Sequence, residues 1–255
     1  MEKILHIKNL GVGYGNTVIA ENISFALPKG KLCAIVGVNG IGKSTLLRTL
    51  AKLQPKLSGE ISIQGEDLNT ITTSELAKSV SVVLTDPIAT KNLTAKELVA
   101  LGRQPYTNWI GMLSKQDQTI IKESICLFEL EELQHKKCYE LSDGQLQRVL
   151  IARAMAQDTP LILLDEPTTH LDLFHKVQIL KLLQQLAHDH QKTIVFTTHE
   201  IDLAIQLCDN ILILDGNQNP FGEPCELIEQ GCFDSLFPKE MVQFDAKTGS
   251  FKINK

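Results

Sequence analysis

Gly37-Val38-Asn39-Gly40-Ile41-Gly42-Lys43-Ser44 fits the pattern G-x-x-x-x-G-K-[ST] at every position. The run before it, Leu32–Val36, is continuously apolar, and the run after it, Lys43–Leu53, has helical spacing. A buried strand, a glycine loop and a helix in that order predict a phosphate cradle. Glycines let the backbone turn and bring N–H groups close to phosphate oxygens. The helix N-terminus adds the positive end of its dipole. The spacing assigns Lys43 to the β- and γ-phosphates and Ser44 to Mg²⁺, so MgATP is the expected ligand, with Thr45 beside it.

Two further elements belong with this loop. Leu161-Ile162-Leu163-Leu164-Asp165-Glu166 reads as a buried strand delivering two carboxylates to its C-terminal end, where such sheets bind ligands. Asp165 is placed to hold Mg²⁺ through water, and Glu166 to polarise the attacking water as general base. In Leu141-Ser142-Asp143-Gly144-Gln145, Ser142 is a good N-cap for a helix running through Gln157, and Gly144 would let a phosphate approach the backbone. On its own that segment also reads as a plain helix cap.

Working outward, strands are expected at Ile4–Ile7, Ile23–Leu27, Leu32–Val36, Ile61–Ile63, Val80–Leu84, Leu161–Leu164, Ile194–Phe196 and Ile211–Leu214. Leu32–Val36, Leu161–Leu164 and Ile194–Phe196 are continuous and apolar, as fully buried parallel strands are. Ile4–Ile7 and Ile23–Leu27 alternate, which suits a half-buried antiparallel sheet. Helices are expected at Thr94–Leu101, with Thr94 and Glu97 as a capping box, at Lys115–Leu130, with Ile121, Ile125 and Phe128 on one face, and at Leu173–His188, with Leu173, Val177, Leu180 and Ala187 on one face. From about Pro87 to Asp158 there is helix and no convincing strand, an α-helical insertion into an α/β core. The tail from Gly216 ends in a hairpin around Lys247-Thr248-Gly249.

The composition of the 255 residues, 43% hydrophobic and 22% charged, suits one globular domain able to bury a core. A net charge of −5, with no Lys/Arg run longer than a pair, gives nucleic acid no electrostatic footing. Met1–Leu10 lacks the apolar stretch of a signal peptide, and no segment approaches the roughly 20 apolar residues that span a bilayer. Cys33, Cys126, Cys138, Cys208, Cys225 and Cys232 form no C-x-x-C pair and read as free, mostly buried thiols. His188 and His190 read as a solvated helix end.

Together these residues resemble the ATP-binding cassette family over nearly the whole chain. Gly37–Ser44 is similar to its Walker A loop, Leu161–Glu166 to Walker B, and Leu141–Gln145 to its signature, with Asp143 where Gly is commoner. His170-Leu171-Asp172 is similar to the D-loop, His199 to the switch histidine, and Tyr14 to the aromatic that stacks on adenine. The resemblance implies one nucleotide-binding domain over 1–255: a P-loop NTPase core with a RecA-like parallel sheet, an N-terminal antiparallel β subdomain, and a helical subdomain inserted at about 87–158. It implies ATP and Mg²⁺ as cofactors, with Glu166, His199 and Lys43 catalytic and Ser142, Gly144, Gln145 and Asp172 at the nucleotide. It also implies that a second copy closes head to tail over two ATP molecules. One departure concerns Thr85, which stands where the family has a glutamine that reaches Mg²⁺; Thr85 is two heavy atoms shorter, and the neighbouring Asp86 is a substitute.

Leu93–Tyr106 and Thr168–Asp172 are similar to cassettes that serve iron(III)-siderophore, haem and cobalamin importers. That resemblance implies separate permease subunits, a substrate-binding protein acting through them, and a peripheral position on the cytoplasmic face of the inner membrane. A soluble cassette in iron–sulfur cluster assembly, and an importer of zinc or manganese, are the alternative readings.

Overall fold

Five apolar strands of this chain are covered on both faces, and alternation sorts their side chains between two cores. The computed structural model describes residues 3–86, 91–237, 242–246 and 248–253. Met1, Pro87 and Lys247, named above, lie outside the described residues. The chain opens with β1 (Lys3–Tyr14), β2 (Thr17–Pro28), β3 (Leu32–Gly37), α1 (Lys43–Leu50), β4 (Ser58–Ile63), β5 (Glu66–Asp67), α2 (Thr73–Ser79) and β6 (Val80–Val83). Next come α3 (Ala95–Ala100), α4 (Lys115–Leu127), α5 (Asp143–Ala156), β7 (Leu161–Leu164), α6 (Leu173–His188) and β8 (Thr193–Thr197). It closes with α7 (Ile201–Leu207), β9 (Asn210–Leu214), β10 (Phe221–Gly222), α8 (Pro224–Glu229), β11 (Val242–Asp245) and β12 (Ser250–Ile253).

The six-stranded sheet has the order β10-β9-β3-β8-β7-β6, parallel throughout except for β10 at the edge. In β3, Leu32, Ala34 and Val36 face one core, while Cys33 and Ile35 face the other. The same period of two divides Ile162 and Leu164 from Leu161 and Leu163, and Ile211 and Ile213 from Leu212 and Leu214. One core is shared with α3, α4, α5 and α6, and the other with α1 and the four-stranded sheet β2-β1-β4-β5. That second sheet is antiparallel, with Leu5 opposite Leu27 and Ile7 opposite Phe25, as the alternation of its first two strands implied. Burial on both sides is the reason the sequence of the central strands carries no polar face.

Between β6 and β7 the described residues hold helices, 3-10 turns and one isolated bridge, Thr94 to Lys137. Its helices start where their caps are strongest. Thr94 Oγ1 accepts the Glu97 N–H while Glu97 accepts that of Thr94, and Ser114–Asp117 and Ser142–Gln145 repeat the reciprocal pattern. Arg103 fastens the insertion together. Its Nε donates to Asp117 Oδ1 at 2.8 Å and its Nη1 to the Ala156 carbonyl at 2.8 Å, and the guanidinium stacks 3.9 Å from the Tyr106 ring centroid.

Several expectations are corrected. The helix after the glycine loop ends at Leu50 rather than Leu53, because Lys52 turns left-handed (φ 57°). Short helices α2 and α7 carried too few turns to show periodicity. Leu173, expected on the buried face of α6, is 67% exposed; the covered face is Ile179, Leu180, Leu183, Leu186 and Ala187. His188 is not simply solvated: its Nε2 lies 3.0 Å from Asp209 Oδ2. Of the six free cysteines only Cys33, Cys138 and Cys208 are buried.

Asp117 and Arg103 are both almost wholly enclosed, at 6% and 5% side-chain exposure. Hydrogen bonds from Ser114, and then the Arg103 guanidinium, hold the Asp117 carboxyl below the usual carboxylate range. A depressed carboxyl contributes stability above its unfolded pKa and loses it as pH falls through the folded value. Arg103→Ala strands the carboxylate in the core and is expected to cost about 3–5 kcal/mol at pH 7, read from urea denaturation. Arg103→Met with Asp117→Leu recovers most of that loss and flattens the acid limb of the stability curve.

Candidate functional site

The glycine loop follows β3 where the parallel sheet ends, and its glycines are required by space. Gly37 has φ +154°, and a Cβ there would lie 2.5 Å from the Leu214 carbonyl oxygen. Gly42 has φ +108°, and its Cβ would lie 2.8 Å from Ile19 Cγ2. The loop can therefore press against β9 and β2 and still turn into α1 with Gly42 as N-cap. Lys43 begins the helix, 5% exposed. Its Nζ donates to the carbonyls of Gly37 (2.8 Å) and Val38 (3.1 Å) and lies 3.4 Å from His199 Nδ1. Burial pulls the Lys43 pKa down, and the nearby Glu166 and Asp165 charges oppose that.

The carboxylates stand at the end of β7, next to β8. Asp165 is buried, and its Oδ1 accepts from Ser44 Oγ at 3.0 Å and from Thr197 Oγ1 at 2.7 Å. Thr197 Oγ1 in turn accepts the Glu166 N–H at 2.8 Å, so one hydroxyl spaces both acids. Glu166 takes a left-handed backbone (φ 47°), a conformation that costs energy away from glycine. Its Oε2 accepts from Thr169 Oγ1 at 2.9 Å, and its Oε1 lies 2.7 Å from His199 Nε2. With a lysine ammonium at Nδ1 and a carboxylate at Nε2, the His199 ring suits the tautomer that carries hydrogen on Nε2. A continuous polar path thus runs Lys43–His199–Glu166.

Tyr14, 55% exposed, places its hydroxyl 3.3 Å from Thr45 Oγ1 and so stands beside the loop. Ser142 and Gln145 cap α5, and Asp172 caps α6 by accepting the His175 N–H at 2.9 Å. The two helix starts touch: a Cβ on Gly144 would meet Leu171 Cδ2 at 3.5 Å and His175 Cδ2 at 3.6 Å. Thr85 lines a cleft of about 200 Å³ with Asp143, Asp165 and Glu166. Asp86 lines it too, but its carboxylate is paired with Arg48 of α1 at 2.9 Å.

Lys43, Ser44, Asp165, Glu166 and His199 are thereby brought together, with Tyr14 and Thr45 at one side; Ser142, Gly144 and Gln145 stand at the start of α5 and Asp172 at that of α6. The sequence reading missed Thr197 and Thr169. The signal for Thr197 was present as a hydroxyl ending an otherwise apolar strand before His199.

Residues 20–169 match the family model described as "ABC transporter". Over 241 residues the chain is 36% identical to the petrobactin import ATP-binding protein of Bacillus anthracis, spanning 94% of this chain and 88% of that one. Over 232 residues it is 38% identical to the achromobactin transport ATP-binding protein of Dickeya dadantii, spanning 90% of this chain and 86% of that one. Among solved structures it is similar to an inward-facing ABC transporter ascribed to the metal-chelate type, with TM-score 0.80, 31% identity and coverage of 92% and 89%. It is also similar to a dimeric ATP-binding cassette in a post-hydrolysis state with ADP and Pi, with TM-score 0.74, 30% identity and coverage of 87% and 99%.

Thr197→Val leaves the Glu166 N–H without its acceptor and Asp165 short of a donor. The expected loss is about 1–3 kcal/mol of stability in urea denaturation, with Thr197→Ser retaining most of the wild-type value.

Proposed function

The chain belongs to the ABC transporter family, as its ATP-binding and ATP-hydrolysing subunit, and we propose that it powers uptake of iron(III) chelates of the siderophore type through separate permease subunits. The relatives named for achromobactin and petrobactin support the substrate class. The polar path Lys43–His199–Glu166, beside Ser44 and Asp165, is the observation that supports the chemistry.

Lys43 gives its ammonium to the β- and γ-phosphates, exchanging the carbonyls of Gly37 and Val38 for them. The N–H groups of Gly37–Ser44, and Thr45 after them, hold the phosphates, and Tyr14 packs on the adenine. Two adjacent hard oxygens, Ser44 Oγ and an Asp165 carboxylate oxygen 3.0 Å apart, fit a divalent cation with an octahedral oxygen shell. Mg²⁺ bound there supplies charge neutralisation at the phosphates. Glu166 polarises the attacking water, held in position by Thr197, Thr169 and His199. His199 carries the contact with the γ-phosphate. Thr85, in the cleft beside the acids, reaches the cation site through a water.

Ser142, Gly144, Gln145 and Asp172 stand at the starts of α5 and α6 and are not among the hydrogen-bond partners of Lys43, which supports closure by a second copy: they cap a nucleotide held by the partner's loop. The permease subunits hold the pair at the cytoplasmic face of the membrane, and a substrate-binding protein delivers the chelate to them. Among the described residues no helix is long and apolar enough to cross a membrane.

Glu166→Gln is expected to lower kcat by about 10²–10⁴-fold while retaining MgATP binding, and Lys43→Ala to abolish binding. The decisive measurement is uptake of a labelled ferric siderophore by cells lacking this chain. Wild type restores it and Glu166→Gln does not; uptake that is indifferent to the chain sinks the transport reading.

A further inference from the structure

The apolar stripe of α6 runs past the end of the core beneath it. Leu180 is 1% exposed, Val177 one turn earlier is partly covered, and Leu173 one turn earlier again is 67% exposed. Next to it Phe174 is 73% exposed, touched by the edge of the His175 ring at a centroid distance of 5.5 Å. Two large apolar side chains thus stand uncovered in the first turn of a 16-residue helix. A helical stripe ordinarily stops where its own core stops. Here it continues for one turn that the described residues leave exposed.

The position of that turn says what covers it. It follows directly on Asp172, and its His175 lies against the Gly144 backbone at the start of α5. Ser142, Gly144, Asp172, Leu173 and Phe174 therefore share one edge. We infer that Leu173 and Phe174 form an apolar anchor buried by a second copy of this chain when two copies close over ATP, adding packing to an interface otherwise made of polar contacts to nucleotide. The inference rests on the two-copy reading above and continues its surface beyond the nucleotide. In a closed two-fold pair each anchor occurs twice, so one substitution is felt twice. Neither side chain touches the nucleotide site, so truncating them leaves each copy's affinity for ATP in place. The anchor is expected to hold the pair without setting the chemistry.

The test uses Glu166→Gln with saturating MgATP in sedimentation velocity over a dilution series. Adding Phe174→Ser or Leu173→Ser is expected to raise the dimer dissociation constant about 10- to 100-fold, with unchanged nucleotide affinity of the dilute monomer and an unchanged thermal midpoint without nucleotide. Phe174→Leu restores most of the association. An independent readout exploits the single tryptophan, Trp109. With Trp109→Phe and Phe174→Trp, indole emission shifts to the blue on MgATP addition at concentrations where the pair forms. Glu166→Gln that stays monomeric at every concentration overturns both the two-copy reading and this anchor. A Glu166→Gln dimer indifferent to Phe174→Ser and Leu173→Ser overturns the anchor alone. Emission that shifts only on adding permease-containing membranes also overturns it, by assigning the surface to a different occupant.

Discussion

A parallel sheet covered on both faces leaves polar side chains one place to gather, the end of its strands. Every charged group of the nucleotide site obeys that constraint. Lys43 and Ser44 follow β3, Asp165 and Glu166 follow β7, and His199 follows β8. The strands β3, β8 and β7 are adjacent, so groups far apart in sequence arrive within hydrogen-bonding distance without a long loop. Thr197 then sets the spacing of the two acids, because its hydroxyl is buried and must satisfy its hydrogen bonds locally.

What the sequence made legible was whatever depends on a single residue pattern. The glycine loop, the acids after an apolar strand, the capping box at Thr94 and the N-cap at Ser142 are local, and each appears where its pattern put it. Less legible were features that need a neighbour in space. The role of Thr197 depends on β7 lying beside β8, a fact of sheet order. The exposure of Leu173 depends on where the core ends rather than on helical period. Nothing local in the sequence marks Arg103, whose partners are Asp117 and the end of α5, 14 and 53 positions away.

The helical insertion shows a different use of polar groups. Its helices are short, so caps and the Arg103–Asp117 pair must supply order that a single long packing face would otherwise give. Such a pair specifies one geometry, since any displacement of α4 against α5 strips the arginine of an acceptor. The insertion shares its core with the sheet, and Arg153 Nη2 and Gln157 Nε2 donate to carbonyls at β6, while Thr85 and Asp86 follow that strand. The ion pair from Asp86 reaches Arg48 of α1, the helix that follows the glycine loop, and its exposure makes it easy to break.

The ammonium of Lys43 already has ligands of its own. Gly37 and Val38 carbonyls accept from it inside the loop, so a buried cation is satisfied by the backbone that positions it. On the proposed role of Lys43, its own contribution to phosphate binding is a difference between two sets of contacts, smaller than either. Exchange of that kind would moderate the grip of the proposed cradle without leaving the ammonium unpaired. A site proposed to release a diphosphate after each cycle gains from that moderation.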